Sequence, residues 1–357
     1  MCKRIFANQT NLSFGIPFYK IGTLGSKCDS YISYDLFFEY KNKYKFPIKG
    51  ETLITCSGTV GRCVKYDGND AYYQDSNIVW LRGNNSPITN DFLYILLSNT
   101  DWTKLNSTTI SRIYNSNLYS LQYNYPINID VQNKIVDFFE KINNRIKTQK
   151  KIIKNLKSQI NQIRCDFFKK TDSTNEKISI LKITEEYVSK TYKNNMYPVL
   201  SSTQNGIYLQ SLYFNKEASS EDTTGYKIIP RGFCTYRSMS DNGIFKFNKQ
   251  DILDYGIISP AYPVFKTNEM FLTDFLIEYL NYSYYFKNKV LETKEGGTRF
   301  ALSFSKLKKI DIAYVSKDKQ KNYLIIINTF LNKLSNETKI LSLYEKQKQY
   351  LLNHMFI

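Results

Sequence analysis

A single histidine, His354, stands near the end of the 357-residue chain. Any Ser-His-Asp or Cys-His nucleophilic site would have to use it. It falls in the last turn of a helical pattern, where a histidine ordinarily caps the helix or faces solvent. Six cysteines are scattered without paired CxxC sets, so they read as reduced thiols and not as a zinc site. The run Ser57-Gly58-Thr59-Val60-Gly61-Arg62 fits neither GxxxxGK[ST] nor GxGxxG, so it marks no nucleotide cradle. No Asn-Pro-Pro-Tyr type methyltransferase motif and no DExx helicase box occurs. The sequence therefore points to no catalytic residue, no metal ligand and no cofactor within this chain.

What the side chains could do is hold a polyanion. There are 49 Lys and Arg against 32 Asp and Glu, a formal net charge of +17. Such a surplus suits nucleic acid or an acidic membrane surface. No run of eighteen apolar residues exists and no signal peptide opens the chain, so a soluble, cytoplasmic protein without a membrane partner is expected. In the first half Ser57, Thr59, Arg62 and Lys65 surround a tight Gly turn, and Thr109 and Arg112 sit in a second polar loop. In the second half Tyr236, Arg237, Ser238, Lys246, Thr298 and Arg299 stand in equivalent places. Arg can bridge guanine O6 and N7, while Ser, Thr and Lys hold phosphates. Any one of these residues is as readily a solvated surface group. As a paired set they argue for contacts to double-stranded DNA.

The elements that must carry these loops are short strands and two long helices. Ile16–Ile21, Glu51–Cys56, Cys63–Tyr66 and Ser76–Leu81 read as strands, with a helix over Asp91–Ser98. From Asp130 to Phe168 the residues Phe139, Ile142, Ile146, Gln149, Ile153, Leu156, Ile160, Ile163 and Phe167 recur at spacings of three and four. That is a heptad seam, uninterrupted by Gly or Pro, on a helix of roughly 57 Å. Polar Gln149 within it is of the kind that fixes register. The intervening Lys147, Lys150, Lys151, Lys154 and Lys157 read as solvated flanks rather than DNA contacts.

Shifted by 188 residues without a gap, the stripe returns over Lys319–Phe356, where Gln132 falls on Gln320. The seam becomes Ile327, Phe330, Leu334, Glu337, Leu341, Tyr344, Lys348, Leu351 and Met355, and polar Gln149 meets polar Glu337. The preceding segments repeat too: Tyr197-Pro198-Val199 matches Ile16-Pro17-Phe18, Gly243 matches Gly61, and Thr273–Leu280 matches Asn90–Leu97. An internal duplication is the simplest account. The expected fold is α+β: two similar, mostly β domains with short helices, each followed by a long helix. The helices pair as an antiparallel coiled coil in a pseudo-two-fold object. The expected boundaries are 1–128, 129–170 (central helix), 171–316 and 317–357 (C-terminal helix). The lead-in strand of the second domain, Lys177–Val188, has its first-half equivalent at or before Met1, so the first domain is expected to lack its opening segment.

The succession Tyr125-Pro126-Ile127, Gln132–Phe139, Ile142 and Arg145-Ile146 resembles the spacer helix of type I restriction–modification specificity subunits. Lys348–Phe356 resembles its closing turn, and Gly256–Tyr262 with Gly297-Thr298-Arg299 resembles the family's second target-recognition domain. The resemblance implies two target-recognition domains reading the halves of a bipartite, gapped DNA site. It implies helices that set the gap and dock two modification (methyltransferase) subunits, with ATP-dependent restriction subunits besides. S-adenosylmethionine, ATP and Mg would then belong to those partners, and the chain itself would be non-catalytic. Two other classes remain open: a scaffold binding nucleic acid without sequence preference, and a catalytic protein whose site leaves no motif.

Overall fold

A computed structural model describes residues 1–81, 87–102, 112–213, 222–294 and 299–355. The chain divides into two compact units, one of Met1–Lys150 with Ile340–Ile357 and one of Lys151–Lys339. Expected Thr109 and Thr298 lie outside the described residues.

The first unit opens with β1 (Ile16–Tyr19), β2 (Tyr31–Ile32), α1 (Tyr34–Lys43), β3 (Thr52–Thr55), β4 (Cys63–Lys65), β5 (Tyr72–Tyr73) and β6 (Ile78–Trp80). One sheet has the order β2-β1-β5, antiparallel then parallel, and the other is the antiparallel β4-β3-β6. Strand β1 stops at Tyr19, short of the expected Ile21, because Thr23 and Leu24 donate back to the Lys20 carbonyl and wind the chain into turns. Helix α2 (Asn90–Asn99) begins where the Thr89 hydroxyl accepts from the Phe92 N–H. Such a cap contributes about 1 kcal/mol. Short α3 (Asn115–Tyr119) then leads to the long α4 (Ile129–Asp172).

The second unit continues with β7 (Lys177–Ser179), β8 (Thr184–Glu186), β9 (Leu200–Thr203), β10 (Gly206–Leu209), α5 (Gln210–Tyr213), β11 (Lys227–Pro230), β12 (Cys234–Tyr236) and β13 (Met239–Ser240). Next come β14 (Phe247–Lys249), β15 (Tyr255–Ile258), β16 (Val264–Thr267), α6 (Thr273–Tyr282), α7 (Tyr284–Glu292), β17 (Phe300–Ala301), α8 (Phe304–Leu307), β18 (Asp311–Ala313) and α9 (Lys317–Met355). The sheet β14-β12-β16-β8 is its centre, with pairs β9–β10, β11–β15, β13–β17 and β7–β18 around it. The expected single strand over Lys177–Val188 is instead β7 and β8 split by a 3-10 turn at Ile180–Lys182. Ile180 and Ile183 are both fully buried, and a spacing of three cannot put two side chains on one face of a strand.

Along both long helices the seam is the covered stripe. Every seam position from Phe139 to Phe167 and from Ile327 to Leu351 is buried or half-buried, Lys348 included, while Lys147, Lys150, Lys151, Lys154 and Lys157 are exposed. In the first unit Val136 and Phe139, early in α4, pack with Leu351 and Leu352, late in α9. In the second, Ile160 and Phe168, late in α4, pack with Tyr323 and Ile327, early in α9. Early α4 thus meets late α9 in the first unit, and late α4 meets early α9 in the second. Lys150 flanks the seam with an ion pair to Glu345 at 2.8 Å.

Candidate nucleic-acid interface

In the second unit three of the expected residues converge on one cleft of about 260 Å³. Its walls are the β9–β10 hairpin and the chain around β13, and Arg237, Lys246 and Arg299 all line it. Arg237 follows β12 directly; it is exposed and forms no ion pair among the described residues. Arg299 reaches Asp241 at 2.8 Å, an open pair at the rim that adds little stability. The Lys246 ammonium lies 5.3 Å from the Tyr282 ring centre. Burial pulls its pKa below the usual lysine value, and nearby Glu278 opposes that shift. Ser238 is held by donation to the Ala261 carbonyl at 2.7 Å, which fixes the strand exit beside Arg237.

Tyr236 does not belong to this surface, and the expectation is corrected. It is fully buried, with its ring 4.6 Å from that of Phe247 and its hydroxyl without a hydrogen-bond partner among the described residues. Burial pushes its phenol pKa up. Strand β12 is an inner strand of its sheet, and with Cys234, Thr235 and Tyr236 all buried both of its faces are covered. The expected set also omits Gln204 and Asn205, which form the exposed tip of the β9–β10 hairpin. The turn signature Thr203-Gln204-Asn205-Gly206 between two short strands is the signal that marks them.

In the first unit Ser57 and Arg112 form a backbone bridge, which brings the two expected loops together. The Ser57 hydroxyl is within 2.7 Å of Asn77 Oδ1, and the Thr59 carbonyl accepts from the Thr55 hydroxyl. Arg62 is half-buried, with Nη1 donating to the carbonyls of Leu24 at 3.2 Å and Gly22 at 3.5 Å. It thus ties the Lys20–Ser26 turns to the Gly loop. Lys65 pairs with Asp91 at 2.8 Å and lies 5.6 Å from the Tyr94 ring centre. Arg112 rests 5.7 Å from the Tyr114 ring centre. Ser57, Thr59, Arg62 and Arg112 therefore share one loop cluster, while Lys65 is turned toward α2.

The glycine turns that position the two sets are alike. Gly61 and Gly243 have φ of +79° and +75°, which L side chains rarely adopt. A Cβ on Gly61 would stand 2.0 Å from Trp102, and one on Gly243 2.5 Å from Leu291. Backbone sign favours glycine at both, and at Gly61 the close approach of the buried Trp102 ring does too.

His354 Nδ1 lies 2.7 Å from the Tyr350 carbonyl one turn earlier, with the two rings stacked at 4.1 Å. Among the described residues no group of three His, Cys, Asp or Glu could hold a metal ion, and no helix is long and apolar enough to cross a membrane.

Residues 1–158 match the family of the type I restriction modification DNA specificity domain. A putative type I restriction enzyme specificity subunit from Haemophilus influenzae is 48% identical over 149 residues, 41% of this chain. The matched part spans only 38% of that relative's length. Over 100% of this chain the fold resembles the crystal structure of the type I restriction-modification system S subunit from M. genitalium, with a TM-score of 0.58, 16% identity and 92% of that chain covered. A second solved structure, from work on complex assembly and conformational transition of the type I R-M system, gives a TM-score of 0.58 at 10% identity over 96% of this chain and 91% of that one. The resemblance to type I specificity subunits read from the sequence is borne out over residues 1–158, and the α+β fold of sheets with two long helices is borne out by the solved structures.

Proposed function

We propose that this chain is the sequence-reading, non-catalytic subunit of a type I restriction–modification complex, and that its two units read the two halves of a gapped, double-stranded DNA site. One observation carries the reading: each unit repeats the same order of a positive-φ glycine turn, a ten-residue helix and a buried glutamine heading a long helix. Two equivalent platforms in one chain suit two half-sites. Cations and small polar groups gather at the loops of both, where phosphates and base edges could be held. The paired long helices would set the gap and offer the surface for modification and restriction subunits. The methyl donor S-adenosylmethionine, with ATP and Mg, would be bound by those partners.

The test is competition binding by the chain assembled with its modification subunits. A duplex carrying the gapped site should hold the complex against a large excess of scrambled duplex, with affinity falling steeply as salt rises. Equal competition by scrambled DNA would favour a scaffold without sequence preference. Methylation or cleavage by the purified chain alone would overturn the non-catalytic assignment.

A further inference from the structure

We infer that the β9–β10 hairpin is the base-reading element of the second unit, with the Gln204 amide reading an adenine and neighbouring Arg237 reading a guanine in the major groove. The inference rests on the DNA-reading function proposed above and assigns the contacts within it.

The hairpin is built to hold its tip still. Strands β9 and β10 pair in register from Leu200–Leu209 to Thr203–Gly206, leaving Gln204 and Asn205 as a two-residue loop. The Thr203 hydroxyl accepts from the Asn205 N–H at 3.1 Å and donates to the Gly206 carbonyl at 2.9 Å. Tyr208 donates to the Asn205 carbonyl at 3.2 Å. From behind, buried Asn248 donates to the Ser202 hydroxyl and the Thr203 carbonyl, both at 2.8 Å. The backbone of the tip is thus fixed by side chains on three elements. The Gln204 amide itself is exposed and has no hydrogen-bond partner among the described residues.

A fixed backbone with a free amide is the arrangement a reader needs. Only the side chain must be ordered on binding, so little of the contact energy is lost to ordering the loop. A two-stranded ribbon fits the major groove, where Gln pairs bidentately with adenine N6 and N7, and Arg with guanine O6 and N7. Gln204 and Arg237 face the same cleft, and among the described residues neither has a partner that would compete for its donors. The charge around them suits DNA. Arg237, Lys246 and Arg299 surround the cleft, and Asp241, its one carboxylate among the described residues, is paired to Arg299.

The test uses the complete complex with its modification subunits on a randomised duplex library, reading which sequences become methylated. The Gln204→Ala chain should relax one adenine position of one half-site by about tenfold or more, and Arg237→Ala a guanine position of that same half-site. The other half-site and the gap should stay as they are, which also shows that both variants fold. Unchanged preferences in both variants would overturn the inference. So would an equal loss on every sequence, the signature of phosphate contacts alone. If the unsubstituted complex itself selected no gapped sequence, the proposed function would fail, not merely this assignment.

Discussion

Gln132 and Gln320, 188 residues apart (320 less 132), make the same three hydrogen bonds in two different units. Both are fully buried at the head of a long helix. Gln132 Oε1 accepts from the N–H of Thr89, the N-cap of α2, and Nε2 donates to the carbonyls of Pro87 and Pro126, all at 2.8 Å. Gln320 Oε1 accepts from the N–H of Leu272, the N-cap of α6, at 2.8 Å, while Nε2 donates to Met270 at 3.0 Å and Val315 at 2.8 Å. Each glutamine therefore locks its long helix to the start of the ten-residue helix of its unit. The duplication is visible here as chemistry, where sequence identity is low.

The first prediction tests that lock. Replacing Gln320 with Leu leaves a buried N–H and two carbonyls without their partner, at about 1–3 kcal/mol for each buried group left unsatisfied. Denaturant titration should show a loss on the order of 3 kcal/mol for Gln320→Leu, and a similar loss for Gln132→Leu. A midpoint within experimental scatter of the parent for both would remove the lock from the account.

Where the units differ, one uses charge and the other apolar packing. In the second, Arg164 of α4 forms a two-point ion pair with Glu278 of α6 at 2.7 and 2.8 Å and lies 3.6 Å from the Tyr282 ring centre. Tyr323 of α9 donates to the same carboxylate at 3.0 Å. The repeat places Leu352, Ile95 and Ile135 at the corresponding positions of the first unit, and all three belong to one apolar cluster. A buried pair is costly to break and often no better than hydrophobic packing. We expect Arg164→Leu or Glu278→Ile alone to cost about 3–5 kcal/mol. The double variant, with Tyr323→Phe, should recover most of that loss. Additive losses in the thermal unfolding of the combined variant would contradict the equivalence.

The sequence made some of this legible and hid the rest for physical reasons. The seam from Phe139 to Leu351 was readable because helical burial repeats every three or four residues along one segment. The same shift put Gln132 on Gln320, yet two of the three bonds of each reach backbone groups 43 to 50 residues away and leave no periodic trace. Arg164 and Glu278 are 114 residues apart, so only tertiary structure joins them. Tyr236 misleads because a tyrosine next to Arg237 and Ser238 resembles a surface cluster, whereas it ends an inner strand buried on both faces. Arg62 looks like a free cation in the sequence, but the Gly22 and Leu24 carbonyls claim its guanidinium.

Thiol chemistry gives a prediction with a defined pH window. Burial pushes Cys2 and Cys63 up to about 12 and Cys56 up to about 11, from an ordinary 9.0. Cys165, by contrast, is exposed. At pH 8 a thiol reagent should modify Cys165 quickly, leave Cys2 and Cys56 untouched until the protein unfolds, and reach half-buried Cys63 slowly. Since the folded pKa values lie above the unfolded one, the unfolded chain loses these protons first. Stability should therefore be intact below pH 9 and decline from there toward pH 12. Rapid native modification of all six cysteines by mass spectrometry would contradict the burial argument.

Charge in the seam should uncouple recognition. Ile153 is 9% exposed and Leu341 is half-buried, so Ile153→Asp or Leu341→Asp places a carboxylate in an apolar stripe at a cost of several kcal/mol. Each variant should lose affinity for the gapped duplex far more than for an isolated half-site, measured by fluorescence anisotropy. Unchanged affinity for the gapped duplex in both would remove the seam from the recognition account.

The most direct test of two readers held apart by helices is the gap of the methylated site. Inserting four residues beside Thr148, about one helical turn, lengthens α4 by roughly 6 Å. That is on the order of two base pairs at 3.4 Å each. A coiled coil can absorb such a stutter by local unwinding, so the seam need not be lost. Methylation mapping of DNA from cells carrying the complete system should return both half-sites unchanged and a gap longer by one or two base pairs. An altered half-site with the original gap, or a methylated sequence with no gap at all, would contradict the account.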